Sequence, residues 1–210
     1  MRSSARIVRA DTEGAAAAAE VLRAGGVIVV PTDTVYGLAA RPGDDGAVRT
    51  VYRIKGRPEG MHLPVLAGSL ADVEALGVSL TAPAHALASR WWPGPLTLVL
   101  GFASGSERPS WLADREEVAV RVPDHDFVLS LLALTGALVA TSANRHGTPT
   151  SREPEEVALA LGNAVDLVVD GGLLTEVPST LVNVAGPEPE VEREGVIGRH
   201  AIAATLAGRA

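Results

Sequence analysis

The chain of 210 residues contains no cysteine. Disulfides, thiolate zinc sites and a cysteine nucleophile are excluded together, and the absence fits a reducing compartment. Lysine is scarce and arginine supplies most of the cations, so Lys55 is conspicuous. No apolar run is long enough to span a membrane, and Ala15 to Ala19 reads as alanine helix rather than signal segment, so the expected location is the cytoplasm. There is no Gly-x-Gly-x-x-Gly after a strand and no Gly-x4-Gly-Lys-Ser/Thr, so neither a dinucleotide fold nor a P-loop is supported. His62, His85, His125, His146 and His200 lack metal-ligand spacing, which argues against a dedicated zinc site. Ser142 has no Gly-x-Ser-x-Gly elbow, which weakens the case for a Ser/His/Asp hydrolase. Positive charge is short overall: a formal net charge of -7 weighs against general nucleic-acid binding, while leaving room for a local basic pocket.

What is there describes a globular chain, 47% hydrophobic and 20% charged. The length suits one domain over residues 1–210 with its core at about 14–200, and no repeat or linker divides it. An alanine-rich helix over 11–24 leads to the buried strand 26–30 and then to the polar loop Thr32-Asp33-Thr34. A helix over 44–54, capped by Asp44, would deliver Lys55 and Arg57 to the loop just beyond its end. Strands are expected at 63–67, 96–100, 117–122, 137–140, 166–169, 179–184 and 190–193. Helices are expected from the caps Ser69, Thr81, Asp124 and Ser151, with a weak one closing the chain. Trp91 and Trp92, before Pro93-Gly94, read as packing at a helix end rather than as a base-stacking platform. Several strands follow one another without a helix between them. The fold class is therefore α/β of the α+β type, a mixed sheet flanked by helices rather than a regular doubly wound one.

Hydroxyls at one strand end and two cations nearby are suitable parts for holding an anionic small molecule. Taken singly, however, Thr32, Thr34 and Ser142 are ordinary turn formers, and Asn144 suits a left-handed turn before Gly147. Arg121 could equally be a cross-strand ion partner, and Ser179 a plain strand-start hydroxyl.

Seven segments change that balance by standing together in order: residues 31–38, 55–58, 92–99, 118–123, 141–144, 179–180 and 193–197. Pro31-Thr-Asp-Thr-Val-Tyr-Gly-Leu38, Lys55-Gly-Arg-Pro58 and Thr141-Ser-Ala-Asn144 are the most telling. With this set the chain resembles the YrdC-like family over nearly its whole length, in its short form without an additional C-terminal domain. The resemblance implies a twisted mixed sheet around a concave, electropositive cavity. It implies a nucleotidyltransferase that makes L-threonylcarbamoyl-AMP and pyrophosphate from L-threonine, bicarbonate and ATP, the first step of t6A formation at position 37 of tRNA. Lys55, Arg57, Ser142 and Asn144 would be the catalytic groups. Thr32, Thr34, Arg121, Ser142 and Ser179 would hold threonine and carbamate, and Lys55, Arg57, Asn144 and Arg193 the nucleotide. Mg2+ would ride on the ATP phosphates without dedicated protein ligands, with Asp33 either its outer-shell partner or a turn cap. The product would pass to a tRNA threonylcarbamoyl-transferase complex, with tRNA itself met only indirectly or weakly and no membrane involved. Met61-His62-Leu63 departs from the family's usual Lys-Pro-Leu and removes a cation there. Two other readings stand beside this one: a carbamoyl-adenylate enzyme serving another acceptor, and a non-catalytic RNA- or nucleotide-binding module.

Overall fold

Four helices begin at a short polar side chain that takes up a backbone N–H of the first turn. Asp11 accepts from Gly14, Asp44 from Ala47, Ser69 from Asp72 and Thr81 from Ala84, each relieving a donor that has no partner within its helix. The computed structural model describes residues 5–56, 63–145, 147–175 and 177–208. In chain order these form β1 (Arg6–Arg9), α1 (Thr12–Arg23), β2 (Ile28–Val30), β3 (Gly37–Ala40), α2 (Asp45–Lys55), β4 (Val65–Leu66), α3 (Leu70–Glu74), α4 (Ala82–Trp91), β5 (Leu96–Gly101), β6 (Glu117–Arg121), α5 (Asp126–Thr135), β7 (Leu138–Ser142), α6 (Pro154–Leu161), β8 (Leu167–Asp170), β9 (Thr180–Asn183), β10 (Glu190–Arg193) and α7 (Arg199–Leu206).

Several boundaries differ from those expected of the sequence. Lys55 is the last residue of α2 rather than a loop residue beyond it, and Gly56 closes the helix in the left-handed region, with φ 59°. His125, not Asp124, stands at the cap of α5 and makes no side-chain cap bond. Glu153 rather than Ser151 precedes α6, whose first residue, Pro154, has no N–H to leave unpaired. The strands β1 and β3 carry no strong sequence signal. Gly37-Leu-Ala-Ala40 has little strand propensity of its own and is held by antiparallel ladders to β2 and β7.

The ten strands make one sheet in the order β1-β8-β2-β3-β7-β4-β6-β5-β9-β10, with parallel pairs β1–β8, β8–β2, β4–β6 and β5–β9 and antiparallel pairs elsewhere. Alternation of side chains divides its faces. On one face Val29, Leu38 and Val139 pack with α2 and α6, and Leu96, Leu98, Leu100, Val118 and Val120 continue the layer with α3, α4 and α7. On the other, Ile28, Val30, Ala39, Leu66, Leu138 and Ala140 pack with α1 and α5. The buried cluster under α1 and α5 includes no residue of β5 or β9. Gly37, Leu66, Thr97, Arg121, Ala140 and Ser142 share this second face, and together they line a cavity with Ser179 and Arg193. On a flat sheet β3 and β9 would stand five strand spacings apart, about 24 Å. That residues at both ends line one cavity requires the sheet to curl around it.

Candidate active site

Every wall of the cavity comes from a different part of the chain. The β2–β3 loop supplies Thr32, Thr34 and Val35, β5 supplies Thr97, β6 Arg121, β7 Thr141 and Ser142, the approach to β9 Pro178 and Ser179, and β10 Arg193. The space, counted out to its open mouth, is about 640 Å³.

The β2–β3 loop is held by its own hydroxyls. Thr32 Oγ1 donates to Val35 O at 2.7 Å and accepts from Thr34 N at 3.1 Å, and it lies 3.0 Å from Thr34 Oγ1. With the Thr32 proton committed to Val35, Thr34 is the donor between the two hydroxyls. Arg121 fixes the loop from the sheet: Nη1 donates to Thr34 Oγ1 at 2.8 Å, Nη2 to Asp33 Oδ1 at 2.6 Å and Nε to Gly94 O at 3.0 Å. The ion pair is buried, with side-chain exposures of 8% for Arg121 and 13% for Asp33. Burial pulls the guanidinium below its ordinary pKa, and the Asp33 charge acts against that pull. A guanidinium has five N–H groups, so Arg121 keeps two that are not spent on Thr34, Asp33 or Gly94. Asp33 Oδ1 is thus spent on Arg121 rather than on capping the turn, and its Oδ2 is buried without a hydrogen-bond partner among the described residues.

Lys55, the only lysine in the chain, reaches from the end of α2 to the turn after β7, which adjoins the β2–β3 loop. Its ammonium donates to Ser142 O at 2.9 Å, to Ser142 Oγ at 3.1 Å and to Asn144 Oδ1. Ser142 Oγ also donates to Asn144 Oδ1 at 2.6 Å, and Asn144 Nδ2 donates to Thr148 O. The third wall centres on Ser179, whose Oγ lies 2.8 Å from Thr97 Oγ1 and accepts from Arg193 Nη2 at 3.3 Å. Arg193 also grips the Ser179 carbonyl through Nε at 3.2 Å and Nη2 at 3.0 Å.

Of the residues singled out from sequence, Thr32, Thr34, Arg121, Ser142, Ser179 and Arg193 line this one cavity, and Lys55 and Asn144 are bonded to Ser142 behind it. Arg57 and the Met61-His62 departure lie outside the described residues. Thr97 and the Asp33–Arg121 pair were not among the expected site contacts. A single hydroxyl in Leu96-Thr-Leu-Val-Leu100 is the signal that could have drawn attention to Thr97.

A family model described as telomere recombination, that of the Sua5, YciO and YrdC proteins, matches residues 20–195. The chain belongs to the Sua5/YciO/YrdC family. Every cavity residue, from Thr32 to Arg193, falls inside the stretch matched to this family. Among relatives, the threonylcarbamoyl-AMP synthase of Bacillus subtilis is 37% identical over 193 residues, which cover 91% of this chain and 56% of that protein. The putative threonylcarbamoyl-AMP synthase of Mycobacterium tuberculosis (strain H37Rv) is 34% identical over 198 residues, covering 93% of this chain and 90% of that one. A crystal structure of Pyrococcus abyssi Sua5 complexed with L-threonine matches with a TM-score of 0.85 at 31% identity, over 100% of this chain and 62% of that chain. This family member thus spans little more than half the length of the Bacillus relative.

The Ser179 wall depends on a glycine. A Cβ on Gly195 would stand 2.2 Å from Pro178 O and 2.6 Å from the Ser179 carbonyl carbon, while Thr180 Oγ1 accepts from both Gly195 N and Ile197 N at 3.0 Å. Gly195→Ala is expected to destabilise the fold by about 1–3 kcal/mol, read as a lowered urea midpoint. An unchanged midpoint would mean that the turn yields without cost.

Proposed function

We propose that this cavity makes L-threonylcarbamoyl-AMP from L-threonine, bicarbonate and ATP, the first step of t6A formation on tRNA. The observation that carries the reading is the convergence of Arg121, Thr34, Ser142 and Ser179 on one cavity, with Lys55 and Asn144 fastened to the Ser142 turn. The two remaining N–H groups of Arg121 suit a carboxylate, where a planar fork matches two oxygens. The hydroxyls of Thr32, Thr34 and Ser179 supply short polar contacts to the amino acid and its carbamate.

The chemistry needs positioning more than a nucleophile. The threonine amine adds to CO2 from bicarbonate, forming the carbamate N–C bond and releasing a proton. A carbamate oxygen then forms a bond to the α-phosphorus of ATP as the bond from that phosphorus to the pyrophosphate oxygen breaks. Cations and hydrogen-bond donors aimed at the phosphoryl oxygens lower the barrier by meeting charge as it spreads. Lys55, Arg57, Ser142 and Asn144 take that part, and Arg193 stands toward the nucleotide. No group of three or more acidic, His or Cys side chains that could hold a metal occurs among the described residues, and Asp33 is already bound to Arg121. Mg2+ would arrive on the ATP phosphates and neutralise them there. The labile product goes on to a tRNA threonylcarbamoyl-transferase complex. A net charge of -7 suits a chain that meets tRNA only indirectly.

The test is pyrophosphate release from ATP, with the product weighed by mass spectrometry after incubation with bicarbonate and each of several amino acids. Release that requires both threonine and bicarbonate is expected. Release supported by carbamoyl phosphate without threonine would establish the other acceptor chemistry, and nucleotide binding without release would establish a binding module.

A further inference from the structure

Thr97 carries the single hydroxyl of β5 and is buried in an otherwise apolar strand. Strand register fixes its neighbours. The β5–β6 ladder pairs Leu98 with Val120, so one step further along Thr97 stands beside Arg121, with Cβ atoms about 5 Å apart. On its other side β5 runs parallel to β9, pairing Leu96 with Thr180 and Thr97 with Leu181, and alternation puts Ser179 on the same face. Thr97 therefore lies between Arg121 and Ser179, and all three line the cavity.

Two hydroxyls bring two protons and four lone pairs. Arg193 Nη2 can only donate, so at 3.3 Å it occupies one lone pair of Ser179 Oγ. The 2.8 Å contact between Thr97 Oγ1 and Ser179 Oγ spends one proton. Neither hydroxyl has a further hydrogen bond among the described residues, so the second proton of the pair is left to the cavity. The hydroxyls of Thr32, Thr34 and Ser142 hold no such reserve, since their protons go to Val35, Thr32 and Asn144.

We propose that Thr97 is a positioning residue that directs the Ser179 proton onto an oxygen of the bound amino acid. This rests on the reading of Ser179 as a contact to threonine. With Thr97 donating, Ser179 Oγ accepts from both Thr97 and Arg193, its lone pairs are filled and its proton is left to the substrate. A hydroxyl that accepts two hydrogen bonds, one of them from a cation, is also a stronger donor. In the opposite orientation Ser179 spends its proton on Thr97 and has none for the substrate. The anionic oxygens of threonine and its carbamate select the first.

Thr97→Val keeps the shape of the side chain and removes the hydroxyl. The expected result is a threonine KM raised about fivefold, with kcat within about twofold and the KM for ATP unchanged, and an equal weakening in calorimetric titration with L-threonine. Thr97→Ser keeps the hydroxyl and should stay within about twofold of wild type. In a Ser179→Ala background Thr97→Val should add less than about twofold, because both changes act through one proton. Should Thr97→Val lower the urea midpoint, Thr97→Ala set against Thr97→Ser makes the same comparison. Wild-type threonine affinity without the hydroxyl, a serine variant as weak as the valine one, or effects that multiply in full with Ser179→Ala would each overturn the proposal. An unaltered protein that neither binds nor uses threonine would instead overturn the functional reading, and the role of Thr97 with it.

Discussion

Replacing Arg121 by methionine is expected to destabilise the fold by about 3–5 kcal/mol and to abolish pyrophosphate release, while adding Asp33→Asn restores most of the stability and none of the activity. The reason lies in what the single change leaves behind. Asp33 Oδ1 loses a 2.6 Å partner, and Oδ2 has none among the described residues, so a mostly buried carboxylate is stranded. Removing one half of a buried pair costs far more than removing both, since the uncompensated charge carries the penalty. Thr34 Oγ1 and Gly94 O lose donors as well, and the β2–β3 loop loses its link to the sheet. Urea unfolding of the single and double variants, beside release assays, separates the two effects. A single variant as stable as the wild type would show that Asp33 is solvated and that the pair contributes nothing to the fold. Recovery of release in the double variant would remove Arg121 from substrate binding.

The second large effect is expected at Lys55. Lys55→Met should lower kcat/KM by about 10²- to 10³-fold, and Lys55→Arg should recover little of it. An ammonium is a compact charge with three donors, and here they meet Ser142 O, Ser142 Oγ and Asn144 Oδ1, acceptors from two neighbouring residues. A planar guanidinium spreads its donors into a fork and does not fit such a cluster. Without the cation, oxygen atoms of Ser142 and Asn144 face one another around the space it held, and the turn moves. Displacements of about 1 Å at reacting groups cost on the order of a hundredfold in rate. Lys55 thus has two tasks in the reading proposed above, organising the turn and meeting the nucleotide. Steady-state rates of the two variants decide the matter, and an arginine variant with near wild-type kcat/KM would show that charge alone suffices.

The local content of the fold was legible residue by residue. Asp11, Asp44, Ser69 and Thr81 each bond to an N–H three residues on, a contact contained within one turn of chain. The apolar runs of β2, β5 and β8 likewise declare burial without naming a partner. The ordered motifs brought Thr32, Thr34, Arg121, Ser142, Ser179 and Arg193 into view before any coordinates placed them around one cavity. By contrast, β3 takes its extended form from neighbours on both sides, and nothing in Gly37-Leu-Ala-Ala40 announces them.

What the amino-acid order determined alone was therefore the local structure, the mixed character of the sheet and the chemical types available for a site. Only the tertiary structure decided that Arg121 is held by Asp33 and Thr34, that Lys55 organises the Ser142 turn, and that Tyr36 ties the β2–β3 loop to Gly171 and Gly172. The partners in these contacts are separated by 87 to 136 residues. Periodicity and propensity say which face of an element is buried, but not what meets it. A hydroxyl or a guanidinium acquires its partner only when the curled sheet brings distant strand ends together.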